Sequence, residues 1–317
     1  MKQVKMGQTN WQTSSVALGI MRMEALSVEQ AAQSIQTAVD AGINFIDSAD
    51  IYGMGNSEIT FGQALKQTNI SRDQLYIQSK GGIVTDPKRS HGSFVFGQRY
   101  DFSKQHLIDA VDGILSRMQL DYLDSFLLHR PDPLMEIDEI AAAFDDLQAS
   151  GKVRHFGVSN FNPEQFKMVQ AGISQKLLIN QLQLSIAHTG MIDFGMHTNM
   201  ADDRSLNHDG SVLEFSRRMG TTIQAWSPFQ YGMFEGSFIN SPKYQALNES
   251  LAQLADKYHT SKNAIAVAWI LRLPANMQVV LGTMTPQHII DSANGADIEL
   301  TKQEWYDVYF AAGNDLP

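Results

Sequence analysis

The 317 residues carry 24 Lys and Arg against 34 Asp and Glu, and the formal net charge of −10 argues against a nucleic-acid partner, which needs clustered cations. There is no cysteine, so disulfides, thiolate nucleophiles and cysteine-bound zinc or iron–sulfur clusters are excluded. No apolar run approaches a membrane span and residues 1–5 lead into no signal-peptide core, so a cytoplasmic protein with no membrane partner is expected.

The length suits one large α/β barrel or two ordinary domains, and without a linker or charge block to divide the chain one domain over 1–317 is expected. Residues 2–14, with the turn signal Gly7-Gln8-Thr9-Asn10, read as a β-hairpin. Residues 15–19 read as a short strand. Residues 27–41 read as a helix, opened by Ser27 and Gln30 in capping-box register and closed by Gly42. A strand over 44–47, a helix over 57–67 and a strand over 75–80 follow. Then come a helix over 103–118, a strand over 122–129 and a helix over 137–149. The second half keeps the alternation, with strands at 153–158, 177–183, 222–226 and 278–281. Its helices fall at 163–171, 211–219, 244–258, 262–272, 286–293 and 301–312.

Eight strands, each followed by helix, predict a parallel (β/α)₈ TIM barrel rather than a doubly wound sheet. The nearest string to a dinucleotide fingerprint, Gly53-Met54-Gly55-Asn56-Ser57-Glu58, has glutamate for its third glycine. It reads as a tight turn delivering Ser57 as a helix cap. Two long loops, 81–102 and 185–210, follow strands and should overhang the barrel mouth. In the second, His188, His197 and His208 lie with Asp193, Asp202 and Asp209 at spacings that match no metal-ligand pattern. A solvated polar loop is expected there, with no metal.

Asp47, Lys80 and His129 close successive predicted strands, and Tyr52 follows the first of them. In a barrel these ends gather on one face, where barrel enzymes keep their chemistry. A free phenol has a pKa near 10. A nearby lysine ammonium favours the phenolate and lowers that pKa, and a carboxylate keeps the lysine charged and placed. A neutral His129 could orient the same substrate oxygen. Such a set protonates a carbonyl oxygen, and a bound hydride donor is its natural partner.

The chain resembles the aldo/keto reductase family almost end to end. The likeness is carried by Gly42-Ile43-Asn44-Phe45-Ile46-Asp47-Ser48-Ala49-Asp50-Ile51-Tyr52-Gly53 and by Ser57-Glu58-Ile59-Thr60-Phe61-Gly62-Gln63-Ala64-Leu65. It is also carried by Gly151-Lys152-Val153-Arg154-His155-Phe156-Gly157-Val158-Ser159-Asn160-Phe161. From Leu128-His129-Arg130-Pro131-Asp132-Pro133 through Asn160 it is most similar to a bacterial subgroup of NADP-dependent oxidoreductases.

The resemblance implies Tyr52 as general acid, Lys80 and Asp47 as its tuning pair and His129 as the carbonyl-orienting residue. It implies a nicotinamide cofactor stretched across the strand ends, with Ser159, Asn160 and Gln181 on the carboxamide; the alternative for Ser159 and Asn160 is that they open the next helix. Trp226 would stack on the ring, Ser227 and Phe229 would follow the pyrophosphate, and Gly19 and Met21 would line the ribose. Gly282, Thr283, Thr285, His288 and Ser292 would meet the adenosine end. The stretch 282–288 lacks the Lys or Arg that many members place against a 2′-phosphate, so NADPH is expected with NADH as the alternative.

Phe94, Phe96 and Tyr100, with Met21 and Trp226, are expected to form an apolar rim around a shallow pocket for small aldehydes or ketones. The rival functions are a nicotinamide-binding sensor or regulatory subunit on the same fold, and a lyase using Lys80 as a Schiff-base amine. The oligomeric state is left open, a monomer being compatible with the sequence.

Overall fold

Every barrel strand is buried along nearly its whole length, which only a sheet covered on both faces allows. The computed structural model describes residues 1–92, 95–232 and 235–316. A hairpin of β1 (Gln3–Lys5) and β2 (Gln12–Ser14) precedes the barrel. The barrel strands are β3 (Val16–Gly19), β4 (Phe45–Asp47), β5 (Tyr76–Gly81), β8 (Leu123–Leu128), β9 (Val153–Ser159), β10 (Leu177–Gln183), β11 (Thr222–Trp226) and β12 (Met277–Leu281). They close in the order β10-β11-β12-β3-β4-β5-β8-β9, with all neighbours parallel. This is the (β/α)₈ barrel the alternation predicted.

Helices cover the outside. They include α1 (Val28–Asp40), α2 (Asn56–Leu65), α3 (Lys104–Met118), α4 (Ile137–Ala149) and α5 (Pro163–Gly172). The Ser27–Gln30 capping box opens α1 as expected. Both long loops carry structure the sequence reading did not anticipate. The first folds into an antiparallel pair, β6 (Ile83–Thr85) with β7 (Gly97–Tyr100), and the second contains α6 (Gly190–Met196). After α7 (Val212–Met219), the chain adds α8 (Gln245–Lys257), α9 (Lys262–Leu271), α10 (Pro286–Ala293) and α11 (Lys302–Ala311). Among the described residues no helix is long and apolar enough to cross a membrane.

The barrel interior is layered. Its floor is apolar: Met6, Ala17, Phe45, Leu127, Ile179 and Val280 pack together, with Trp11 and Tyr76 against them. Residues two positions on along a strand face the same way, so Asp47, Gln181 and Gln224 come above Phe45, Ile179 and Thr222. Gln278 Nε2 donates to Thr13 Oγ1 (3.1 Å) and Ser14 O (2.6 Å), which fastens the N-terminal hairpin to the barrel. Gly19 is glycine for a packing reason: a Cβ there would lie 2.6 Å from Leu281 O on the neighbouring strand.

Candidate active site

Asp47 ends β4, Lys80 lies one residue from the end of β5, and His129 directly follows β8, so the parallel topology gathers them at one end of the barrel. Tyr52 stands on a 3₁₀ turn just beyond β4, Tyr52–Gly55. That turn is tight because Gly53, Met54 and Gly55 all take positive φ (56°, 54° and 89°), a region open to glycine and strained for methionine. Gly55, not Ser57, is the N-cap of α2; Ser57 lies inside the helix and its hydroxyl donates to Met21 O (3.0 Å), tying two mouth loops together.

Lys80 is fully buried, and its Nζ donates to Asp47 Oδ1 (2.7 Å) and Ser48 O (2.6 Å). The same Nζ lies 5.1 Å from the Tyr52 ring centroid. The Tyr52 and His129 rings meet edge to face with centroids 6.1 Å apart. The four residues are therefore one cluster.

Their protonation follows from burial and charge. Burial pushes the Lys80 ammonium down, but Asp47 and then Tyr52 push it up, and the net shift is upward, so Lys80 stays charged. For Tyr52 the sequence-based expectation is corrected. Burial raises the phenol, and the opposing pull of Lys80 does not overcome it, so the net shift is upward. The ground-state phenol is a proton donor, not a standing phenolate. Burial, aided by Lys80 and Arg130, holds His129 well below its ordinary value, so the imidazole is neutral. Its Nδ1 is buried without a hydrogen-bond partner among the described residues.

Beneath the cluster runs a chain of glutamines. Gln78 Nε2 donates to Asp47 Oδ1 (2.7 Å) and Gln224 Oε1 (2.8 Å), and Gln181 Nε2 donates to the same two oxygens (2.9 and 3.0 Å). Gln224 Nε2 donates onward to Gln278 Oε1 (2.8 Å). Asp47 Oδ1 thus accepts from one ammonium and two amides, which fixes the carboxylate and, through it, Lys80.

Behind Lys80 lies a second acidic pair. Glu58 is buried, accepts from Ser79 Oγ (2.9 Å), and binds Arg117 through Nε and Nη2 (both 2.8 Å). Asp50 Oδ1 has no partner among the described residues, and burial, then the Glu58 carboxylate, pushes Asp50 up to about 8 against Arg117 and Lys80. An unfolded aspartate releases its proton near 4, so the folded state holds the extra proton between about 4 and 8. The stability tied to that proton is complete below about 4 and is lost as pH rises through about 8. Asp50→Asn, which cannot ionise, is expected to gain stability over wild type as pH rises from 6 to 9, by up to about 1.4 kcal/mol per pH unit. Thermal melts across that range check this, and parallel curves would contradict it.

The residues assigned by resemblance to a cofactor fall into three groups. Ser159, Asn160, Gln181 and Trp226 are brought together. Trp226 Nε1 donates to Asn160 Oδ1 (3.2 Å), Asn160 Nδ2 to Ser159 Oγ (2.8 Å), and Ser159 Oγ to Gln181 O (3.0 Å). Asn160 takes φ of +63° and does not cap α5; Asn162 does, so the capping alternative falls away. Ser227 (φ +52°) and half-buried Phe229 follow β11, while Gly19 ends β3 and Met21 lies in the turn just after it.

At the far end, Thr285 begins α10 with no side-chain cap among the described residues and Pro286 at its first turn, so backbone amides are open there. Arg22, which the sequence reading passed over, donates from Nη1 to Gly282 O (2.8 Å) and brings a cation to this cation-poor segment. Thr283 Oγ1 accepts from Thr285 N (3.2 Å), and His288 is exposed. Ser292 is a correction: it is fully buried and its hydroxyl donates to His288 O (2.7 Å), turned into its own helix.

The apolar rim is also corrected. Phe96 and Tyr100 are about two-fifths exposed, but Arg89 lies 4.7 Å over Phe96 and Arg130 is a charge neighbour of Tyr100. Phe94 lies outside the described residues. The loop over 185–210 is clasped rather than solvated. Asp193 accepts from Tyr309 Oη (2.6 Å) and Arg204 Nη1 (3.3 Å), Arg204 reaches Asn314 Oδ1 (2.9 Å), and buried His197 meets Asp202 (3.1 Å) and Asp315 O (3.3 Å). Among the described residues no three His, Asp or Glu gather as a metal-ligand group.

Three residues outside the assigned set also face the mouth region: Gln183, Arg130 and Arg22. Gln183 carried a usable signal, since it lies two residues beyond Gln181 on the same strand face. Arg130 carried another, as the neighbour of His129.

A family model described as "Aldo/keto reductase family" matches residues 15–309. Oxidoreductase YdhF of Escherichia coli (strain K12) is 33% identical over 294 residues, covering 92% of this chain and 91% of that one. A 6-dehydroglucose reductase of Agrobacterium fabrum is 33% identical over 279 residues, covering 88% and 86%. Among solved structures, an aldo-keto reductase of Bombyx mori in complex with NADP superposes with a TM-score of 0.71 at 21% identity, covering 97% of this chain and 92% of that one.

Proposed function

As this chain belongs to the aldo/keto reductase family and is an oxidoreductase, we propose that it reduces the carbonyl of small aldehydes or ketones to alcohols at the expense of NADPH. The observation that carries this reading is the fully buried Lys80, held by Asp47 and facing Tyr52 at the barrel end that also presents His129.

When bound, the reduced nicotinamide supplies the hydride. Tyr52 gives its proton to the carbonyl oxygen as negative charge builds there. Lys80, kept cationic by Asp47, stabilises the phenolate left behind. Neutral His129 hydrogen-bonds the same oxygen and orients the carbonyl. Restoring the proton to Tyr52 completes the cycle.

The donor set suits a dinucleotide. Ser159, Asn160 and the remaining oxygen of Gln181 would hold the carboxamide, with the Trp226 indole against the ring. Ser227 and Phe229 would follow the pyrophosphate, and Gly19 and Met21 the ribose. Gly282, Thr283, Thr285 and His288, with the open amides of α10, would meet the adenosine end. Arg22 beside Gly282 supports a phosphate-bearing cofactor, and the NADP named for the silkworm structure agrees with it.

Quenching of tryptophan fluorescence on titration is expected to show NADPH binding at least tenfold tighter than NADH. A preference for NADH would overturn the cofactor assignment. NADPH consumption with a panel of short aldehydes tests the reaction itself, and tight cofactor binding without turnover would favour the sensor reading.

A further inference from the structure

The proposed chemistry asks nothing of Gln224, yet three amides meet there. Gln224 lies on β11 two residues before Trp226 and is fully buried. Its Oε1 accepts one proton from Gln78 Nε2 (2.8 Å) and one from Gln181 Nε2 (3.0 Å). Each of those nitrogens gives its second proton to Asp47 Oδ1, at 2.7 and 2.9 Å. Two nitrogens and two oxygens thus close a ring inside the barrel, with Asp47 on one side and Gln224 on the other.

The ring has a direction. A side-chain amide has a donor end and an acceptor end, and one hydrogen bond lets it pivot whereas two fix its plane. Gln181 commits both N–H bonds to Asp47 and Gln224, so its Oε1 is the end left for a ligand. Its backbone is fixed as well, the carbonyl accepting from Ser159 Oγ (3.0 Å) and Asn160 N (2.9 Å). Gln224 keeps its oxygen turned toward the ring because its own Nε2 donates to Gln278 Oε1 (2.8 Å). Gln278 Nε2 donates in turn to Ser14 O (2.6 Å). A backbone carbonyl only accepts, so this end admits one orientation of the two glutamines.

We propose that Gln224 is a positioning residue: by fixing both protons of the Gln181 amide, it holds Gln181 Oε1 ready for the amino group of the nicotinamide carboxamide. The site thereby selects that carboxamide over a ring substituent without N–H groups. This rests on the nicotinamide-reductase reading above. Gln224 acts through Gln181, since both ends of its own amide are engaged within the barrel.

The test titrates the protein with NADP⁺ and with its 3-acetylpyridine analogue, in which a methyl replaces the carboxamide amino group. Quenching of tryptophan fluorescence is read with no substrate present. In wild type, NADP⁺ is expected to bind roughly fivefold or more tighter than the analogue, the scale of one buried hydrogen bond. Gln224→Met keeps a long unbranched side chain but offers no amide oxygen, and should bring the two affinities within about twofold of each other. Gln224→Glu, kept as the neutral acid by burial beside Asp47, retains an oxygen for the two amides and an O–H for Gln278. It should hold the wild-type ratio. Should Gln224→Met fail to fold, Gln278→Met removes only the support beneath the ring and should lower the ratio by about twofold or more.

Leu127→Ala, which opens a cavity in the apolar floor, is expected to lower the melting temperature and leave the ratio alone. An unchanged ratio in the Met variants, or an equal loss in Leu127→Ala or Gln224→Glu, would overturn the assignment. A wild type that binds both dinucleotides equally would overturn it too, while leaving the reductase intact. A wild type that binds neither would remove the cofactor reading as well.

Discussion

Tyr52→Phe is expected to lower kcat by roughly 10²–10⁴-fold while leaving NADPH affinity within about twofold of wild type, the range a positioned general acid contributes. The substitution removes only the hydroxyl. The ring that meets His129 edge to face stays, and so does the strained turn that carries it. No other group in the cluster can take over. Lys80 is held charged by Asp47, and His129 is held neutral by burial with two cations nearby. Stopped-flow measurement of the first turnover separates the loss in chemistry from any change in product release. Undiminished turnover would show that the proton comes from elsewhere.

The second large effect falls on stability. Lys80→Met removes a fully buried ammonium and leaves Asp47 charged among the glutamines. Breaking one side of a buried ion pair costs about 3–5 kcal/mol, because the remaining charge stays desolvated. The Gln78 and Gln181 amides still donate to Asp47 Oδ1, so the loss should lie at the lower end of that range. Chemical denaturation measures it directly. Turnover should fall as well, since the phenolate left by proton transfer would lose its cation. A variant as stable as wild type would mean that the Lys80–Asp47 pair contributes nothing net to the fold.

The barrel was legible because each strand is a short apolar run and each crossover long enough for a helix. The strand-end positions of Asp47, Lys80 and His129 followed from the same pattern. The direction of the Tyr52 shift was not legible, because burial decides it and burial is a property of packing. The glutamine chain was hidden for a related reason. Barrel strands are enclosed on both faces, so Gln78, Gln181 and Gln224 interrupt their apolar runs without announcing that they face one another across the axis. Ser57 looked like a cap by composition, but the turn before it consumes three left-handed residues and starts the helix earlier. Arg22 and Arg130 lie outside the strands, where periodicity says nothing and only the folded mouth reveals what they approach.

The central claim is that hydride passes to a carbonyl carbon while Tyr52 protonates its oxygen. Reducing an aldehyde with NADPH deuterated at the transferring position of C4 tests it most directly. The account predicts an alcohol with one deuterium on the carbinol carbon. An alcohol without that deuterium, or a borohydride-trapped Lys80 adduct formed with no nicotinamide present, would contradict it.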